Sequence, residues 1–149
     1  MRLLGEPPHL PNCRGPQGVG EIILEYAIHH SPLAFIRALL ELGADPNYQD
    51  HAGFPALIAA LSSARADKYE IIELLLASGA DIQQRGINDW TPLHYAAAND
   101  DVEAMERLLA HGADPAARTT IDHCATPLEE AAHLGRTEAL RALRKLAAR

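Results

Sequence analysis

Three copies of one short phrase constrain this chain more than any other feature. Gly43-Ala44-Asp45, Gly79-Ala80-Asp81 and Gly112-Ala113-Asp114 follow one another at steps of 36 and 33 residues, and Thr91-Pro92-Leu93 returns 35 residues later as Thr126-Pro127-Leu128. Units of that period cannot bury their apolar faces alone and must pack on their neighbours, so the expected fold is an all-α solenoid rather than a sphere around a central cleft. Function is then expected on a surface.

Each unit reads as a helix pair. In the third, Thr91 offers a hydroxyl as N-cap and Pro92 stands at N1, where no amide hydrogen is missed. A short first helix over 93–97, a turn at Asn99-Asp100-Asp101 and a second helix over about 102–110 follow, with Met105, Leu108 and Leu109 as its buried stripe and Gly112 ending it in a left-handed conformation. Asp100 and Asp101 both precede this second helix and are expected to sit at its positive end. The fourth unit copies the plan: Thr126 and Glu129 have capping-box spacing, Ala131-Ala132 repeats Ala96-Ala97, and a second helix over about 137–147 buries Leu140 and Leu143. In the first unit Leu24-Glu25-Tyr26-Ala27 parallels Leu93-His94-Tyr95-Ala96, and Ser31-Pro32 opens a second helix that runs to Gly43; the second unit pairs helices over 54–60 and 69–78. Repeats are expected near 21–53, 54–89, 90–122 and 123–149. Before them, Pro7, Pro8, Pro11 and Pro16 lie among Gly5, Gly15, Gly18 and Gly20, a density of breakers that excludes helix and predicts an extended lead-in over 1–20. The second unit has three extra residues between its helices, near Ser63-Ala64-Arg65-Ala66-Asp67, and the loop after Gly112 is two residues longer than the one after Gly79, both where solenoids accept insertions.

Composition narrows the function classes. No apolar stretch approaches the roughly 20 residues that span a bilayer, and Met1-Arg2-Leu3-Leu4-Gly5-Glu6 lacks the apolar middle of a secretory signal. Cys13 and Cys124 follow no disulfide or metal spacing, so a reducing, cytoplasmic setting is expected. Of the net charge of −7, residues 126–149 carry +5 and −3, leaving −9 for residues 1–125. So acidic a body argues against nucleic acid, whose binding rests on Lys and Arg contacts that release counterions. The basic end is read as complementing a helix dipole and keeping a terminal repeat polar.

Taken together, Thr91-Pro92-Leu93-His94-Tyr95-Ala96-Ala97, the paired leucines before Gly112-Ala113-Asp114, and the same phrases around Gly43 and Gly79 make residues 20–149 resemble ankyrin repeats. The resemblance implies pairs of antiparallel helices with a projecting β-hairpin, and a non-catalytic module that binds another protein through its hairpin tips and the concave first-helix surface. Mapped onto this sequence, the first tip is Asp50-His51-Ala52-Gly53 followed by Phe54; the second is Gly86-Ile87-Asn88-Asp89 followed by Trp90, with Gly and Asp exchanged; the third, over about 119–125, is lengthened. The exposed first-helix positions map to His29 and His30, Ser62 and Ser63, Ala98 and Asn99, and His133 and Leu134. Candidate contacts are therefore His51, Phe54, Ile87, Asn88, Trp90, His29, His30, Ser62, Ser63, Asn99 and His133, centred on Phe54, Ile87, Asn88 and Trp90. Large aromatics are enriched among interface hot spots, although either ring could instead pack on its own hairpin stem.

The histidines do not make a metal site. The resemblance assigns His94 a structural role, bridging neighbouring units by hydrogen bonds, and a buried ring needs such partners. His29 and His30 are adjacent, so their side chains diverge where an i, i+4 pair would converge, and His123-Cys124 lacks a second pair of ligands. Neither a Gly-x-Ser-x-Gly elbow, a phosphate-cradling glycine loop nor His-Glu-x-x-His occurs. The expectation is a monomeric binding module with no cofactor, metal, nucleic acid or membrane partner; the alternative is a regulatory or inhibitory element acting on an enzyme outside these residues.

Overall fold

A computed structural model of the chain describes residues 23–48, 54–121 and 123–148, so the lead-in expected at 1–20 and the first tip with His51 lie outside the described residues. Among the described residues there are eight helices and no strand, and the chain divides into two compact units, Met1–Ala80 and Asp81–Arg149. The all-α reading holds.

The first unit contains α1 (Ile23–His30), α2 (Leu33–Glu41), α3 (Ala56–Ser62) and α4 (Lys68–Ala77). Here α1 packs on α2 and α3, while α4 packs on α3 and α2. Ile28, Ile36, Leu57, Ile58, Ile71, Ile72 and Leu75 fill the space between them and are almost wholly buried. Aliphatic chains of this size each contribute about 1.5–3 kcal/mol on burial, so these residues dominate the unit's stability. The second unit contains α5 (Pro92–Ala98), α6 (Val102–Ala110), α7 (Pro127–His133) and α8 (Thr137–Ala147). Its core is Leu93, Met105, Leu108 and Leu143 between small residues, Ala96, Ala97, Ala104, Ala131 and Ala139, which let the helices approach closely. The expected stripe shifts by one position. Leu109 and Leu140 are half-buried, whereas Ala104 and Ala139 are sealed, because the small side chains face the neighbouring helix.

Each residue of the repeated Gly-Ala-Asp phrase has a separate task. Gly43, Gly79 and Gly112 take φ of +94°, +91° and +91°. A Cβ on any of them would meet nothing within 4 Å, so the requirement is conformational and not one of space. The alanine amide then reaches back to the third-last helical carbonyl, Ala44 to Leu39 at 2.9 Å, Ala80 to Leu75 at 2.9 Å and Ala113 to Leu108 at 3.0 Å, the six-to-one bond of a Schellman motif. The aspartate side chain starts the next turn: Asp45, Asp81 and Asp114 accept from the amides of Asn47, Gln83 and Ala116 at 2.8–2.9 Å. Helix stop and chain reversal are thus written in three residues.

Two insertions or turns turn out to be clasps between successive helix pairs. Arg65, from the three-residue insertion, is held by Asp67 through two bonds of 2.7 Å and donates to the Ile28 carbonyl at 3.3 Å and to the Ser31 carbonyl, the bare C-terminal end of α1. That pairing keeps the Arg65 guanidinium above its usual range and the Asp67 carboxyl below its own. In the second unit Asp101 caps α6 as expected, accepting from Ala104 at 3.0 Å. Asp100 does not share that helix: in a left-handed conformation, φ +57°, it points away and accepts from the Ala139 amide at 2.7 Å. The N-cap residue of α8, Arg136, makes no side-chain capping bond, so Asp100 supplies the cap from the preceding pair.

Candidate partner-binding surface

The surface offered by the second unit is set by one buried ring. His94 is fully buried; its Nε2 lies 3.0 Å from the Ala125 carbonyl, which can only accept, so Nε2 carries the proton. Its Nδ1 then accepts, from the Thr91 amide at 3.2 Å and in reach of the Thr91 hydroxyl at 2.8 Å, closing the capping box of α5. Burial outweighs the bond to Ala125 and lowers the pKa of His94 below its ordinary value, so the ring is neutral at pH 7. One histidine therefore ties the start of α5 to the loop that precedes α7.

Among the described residues, the second and third tips are held by hydrogen-bonded turns and carry no assigned strand. Gly86 donates to the Trp90 carbonyl at 2.9 Å and Asp89 to the Gly86 carbonyl at 3.0 Å. In the third tip Thr119 donates to the Ala125 carbonyl at 3.0 Å, but the Ala125 amide returns to the Thr119 hydroxyl instead of its carbonyl, so no ladder forms. The exchange of Gly and Asp in the second tip has a simple outcome: Asp89 takes the left-handed position with φ +56°, and Cys124 the corresponding one with φ +48°. Asp tolerates that region better than most residues. An arginine steadies each turn. Arg85 donates to the Asp89 carbonyl at 2.9 Å and Arg118 to the Cys124 carbonyl at 2.8 Å, and Arg118 also pairs with Glu129 at 3.0 Å. The Asp89 carboxylate in turn accepts from both the amide and the hydroxyl of Thr120, binding the second tip to the third. Burial pushes the Asp89 carboxyl up, but the Thr120 and Arg85 bonds outweigh it and hold the group below the usual range.

The candidate residues occupy different settings. Ile87 is 54% exposed at the head of the clasped tip, with Asn88 exposed beside it and Ile121 exposed on the neighbouring tip. Trp90 is half-buried, its ring edge-on to Tyr95 of α5 with centroids 5.1 Å apart, which gives it a structural contact. Phe54 stands exposed before α3, and His29 and His30 are exposed at the end of α1, where His30 stacks on Tyr26 at 4.6 Å. Ser62, Asn99, His133 and Leu134 are exposed. Ser63 and Ala98, mapped to the exposed first-helix surface, are instead buried. Ser63 leaves helix α3 with an extended ψ of 140° and accepts from the Arg65 amide, turning inward at the insertion, while Ala98 continues the small-residue face of α5. His123 meets His133 with ring centroids 5.0 Å apart, a contact not read from the sequence. Among the described residues no group of three or more His, Cys, Asp or Glu is placed to hold a metal ion. The arginine clasps do leave a trace in the sequence, since Arg85 and Arg118 each stand six residues after the glycine of their repeat.

Two family models match the chain, one described as ankyrin repeats (3 copies) over residues 57–149 and one described as ankyrin repeats (many copies) over residues 24–67. The chain belongs to the ankyrin repeat family. It is similar to a putative E3 ubiquitin-protein ligase, XBAT35, of Arabidopsis thaliana, 30% identical over 131 residues that cover 87% of this chain and 27% of that protein. It is also similar to the RelA-associated inhibitor of Mus musculus, 36% identical over 86 residues, 58% of this chain and 10% of that protein. The ankyrin repeat and KH domain-containing protein mask-1 of Caenorhabditis elegans is 33% identical over 108 residues, 71% of this chain and 4% of that protein. The chain thus spans about a quarter or less of the length of these relatives. Ankyrin repeats generally mediate protein–protein interaction and are typically non-catalytic. No helix among the described residues is long and apolar enough to cross a membrane.

Proposed function

We propose that this ankyrin repeat chain is a cytoplasmic, monomeric binding module, made of four repeats near 21–53, 54–89, 90–122 and 123–149, that docks a partner protein on its tips and first-helix surface. The observation that carries the reading is Ile87, an aliphatic side chain held in solvent on a tip whose backbone is fixed by Asp89, Arg85 and Thr120. An apolar group on a pre-ordered loop loses little entropy on binding, the condition for an anchor. Within the second unit the candidate contacts are Asn88, Trp90, Asn99 and His133; within the first they are Phe54, His29, His30 and Ser62, and His51 lies outside the described residues. The chemistry of the chain lies in recognition, with no cofactor and no nucleic acid.

The test is affinity capture from cell lysate with the wild-type chain and Ile87→Asp, both shown folded by circular dichroism. The retained proteins should drop at least tenfold with Ile87→Asp; unchanged capture would place the contact elsewhere. A second reading, an inhibitory element that masks another protein's site, is favoured by the name of one relative, an inhibitor matched over 58% of this chain. It predicts that a captured enzyme loses activity when the wild-type chain is added back.

A further inference from the structure

The structure offers a second surface, made by the outer helices of the second unit and separate from the tips. Between α6 and α8 runs an open groove of about 350 Å³ lined by Met105, Glu106, Leu109 and Ala110 on one side and Ala142, Lys145 and Leu146 on the other. Ala110 and Ala142 leave it open, since a methyl group cannot fill the space between two helices. Leu146, in the last turn of α8, is 38% exposed on its edge. Charges sort along the two walls. Glu103 pairs with Arg107 on α6 at 2.8 Å and Glu138 with Arg141 on α8 at 2.8 Å. Glu106 on one rim and Lys145 on the other are left without an ion pair among the described residues.

We infer that this groove receives an amphipathic helix of a partner protein, with an apolar stripe bordered by carboxylates on the edge that meets Lys145. The helices that form the groove have nine and eleven residues, so the floor is about 14–17 Å long and takes two to three turns of helix. Leucine-sized side chains at i, i+3 or i+4 and i+7 of the occupant enter between Leu109 and Leu146, the mode in which a helix lays its apolar face into a groove. The opposite signs on the rims select the occupant's charge pattern, because a like charge on either edge would be repelled. Lys145 favours Asp or Glu on its side, while Glu106 favours Lys or a neutral residue on its own.

The probe is a synthetic helical peptide of about fourteen residues, three turns plus ends, with leucines at that spacing and glutamates along one edge; control peptides replace the glutamates by lysine or glutamine. Binding is read by fluorescence anisotropy and by backbone amide shifts. The glutamate peptide is expected to bind with shifts centred on residues 105–110 and 142–146. Lys145→Glu, on an exposed rim where it leaves the fold intact, should weaken it about fivefold and favour the lysine control, the scale of one exposed charge pair. Ala142→Leu, a good helix former that fills the groove, should weaken it at least tenfold while the thermal melt is unchanged. The inference is overturned if no peptide binds, if the three peptides bind equally, if the shifts fall on the tips, or if Ala142→Leu binds as well as wild type. It is also overturned if sedimentation shows the chain dimerising unless Ala142→Leu is present, which would make a second copy the occupant, or if a small apolar solute alone produces the shifts.

Discussion

Acid should loosen the second unit well before its carboxylates titrate, and His94 should be the cause. The folded ring is sealed and neutral, with Nε2 donating to Ala125 and Nδ1 accepting from Thr91, so a second proton has no place without breaking the Thr91 bond. Burial holds its pKa below the ordinary value, whereas the unfolded chain takes up the proton near pH 6.5. The stability due to the neutral ring is therefore complete above about pH 6.5 and declines as the pH falls below it, because the unfolded state then binds more protons. The loss grows as the pH falls and stops where the folded ring also takes up its proton, so for one site with that unfolded pKa it is at most about 1.7 kcal/mol between pH 6.5 and 5. Asp67, Asp89 and Glu129, whose pKa values are lowered by their partners, contribute stability that is present above the unfolded carboxylate range of about 4 and lost below it, so they leave this window clear. Urea unfolding followed by the fluorescence of Trp90, the single tryptophan and a neighbour of Tyr95, reports on this unit directly. The comparison is His94→Gln, which keeps a capping-box side chain at N3 and has no proton to gain. At pH 7 the variant should be less stable by about 1–3 kcal/mol, for the unpaired Ala125 carbonyl, and nearly flat from pH 6.5 to 5. Equal slopes for the two proteins would refute the assignment of the acid sensitivity to His94.

Two further substitutions test the clasps between helix pairs. Arg65→Ala should cost the first unit about 2 kcal/mol, the worth of a charge-assisted bond to partly buried carbonyls, and raise hydrogen exchange at the end of α1 more than in α4; uniform protection would count against the clasp. Asp100→Ala should cost about 1 kcal/mol through the first turn of α8, with exchange at Ala139 accelerated while that at Ala104, capped by Asp101, is unaffected.

What is legible in this sequence is what neighbours along the chain decide. Thr91-Pro92 and Thr126-Pro127 open α5 and α7, and Gly43, Gly79 and Gly112 stop α2, α4 and α6, because caps and left-handed turns depend on residues three or four apart. His94 is legible as structural through the family resemblance, which implies that a histidine at this position bridges neighbouring units by hydrogen bonds. Two of the misses involve reach across repeats. Asp100 looks like a second charge at the start of α6 until its positive φ swings it to α8, and the residues near Arg65 look like a tolerated insertion until the guanidinium meets the end of α1. Ser63 and Ala98 fail the mapping because exposure along a first helix depends on where that helix ends, and α3 ends just before the insertion. The open groove between α6 and α8 has no linear signature, since it arises from two alanines 32 residues apart.

The Arg65 and Asp100 clasps limit how far these units are interchangeable. A repeat that lends a side chain to one particular neighbour carries an address. Duplicating the second helix pair would leave one Arg65 facing a helix end other than that of α1, and deleting the fourth would leave Asp100 pointing at solvent. Rearranged versions of this chain would therefore have to inherit adjoining pairs together, the first with the second and the third with the fourth.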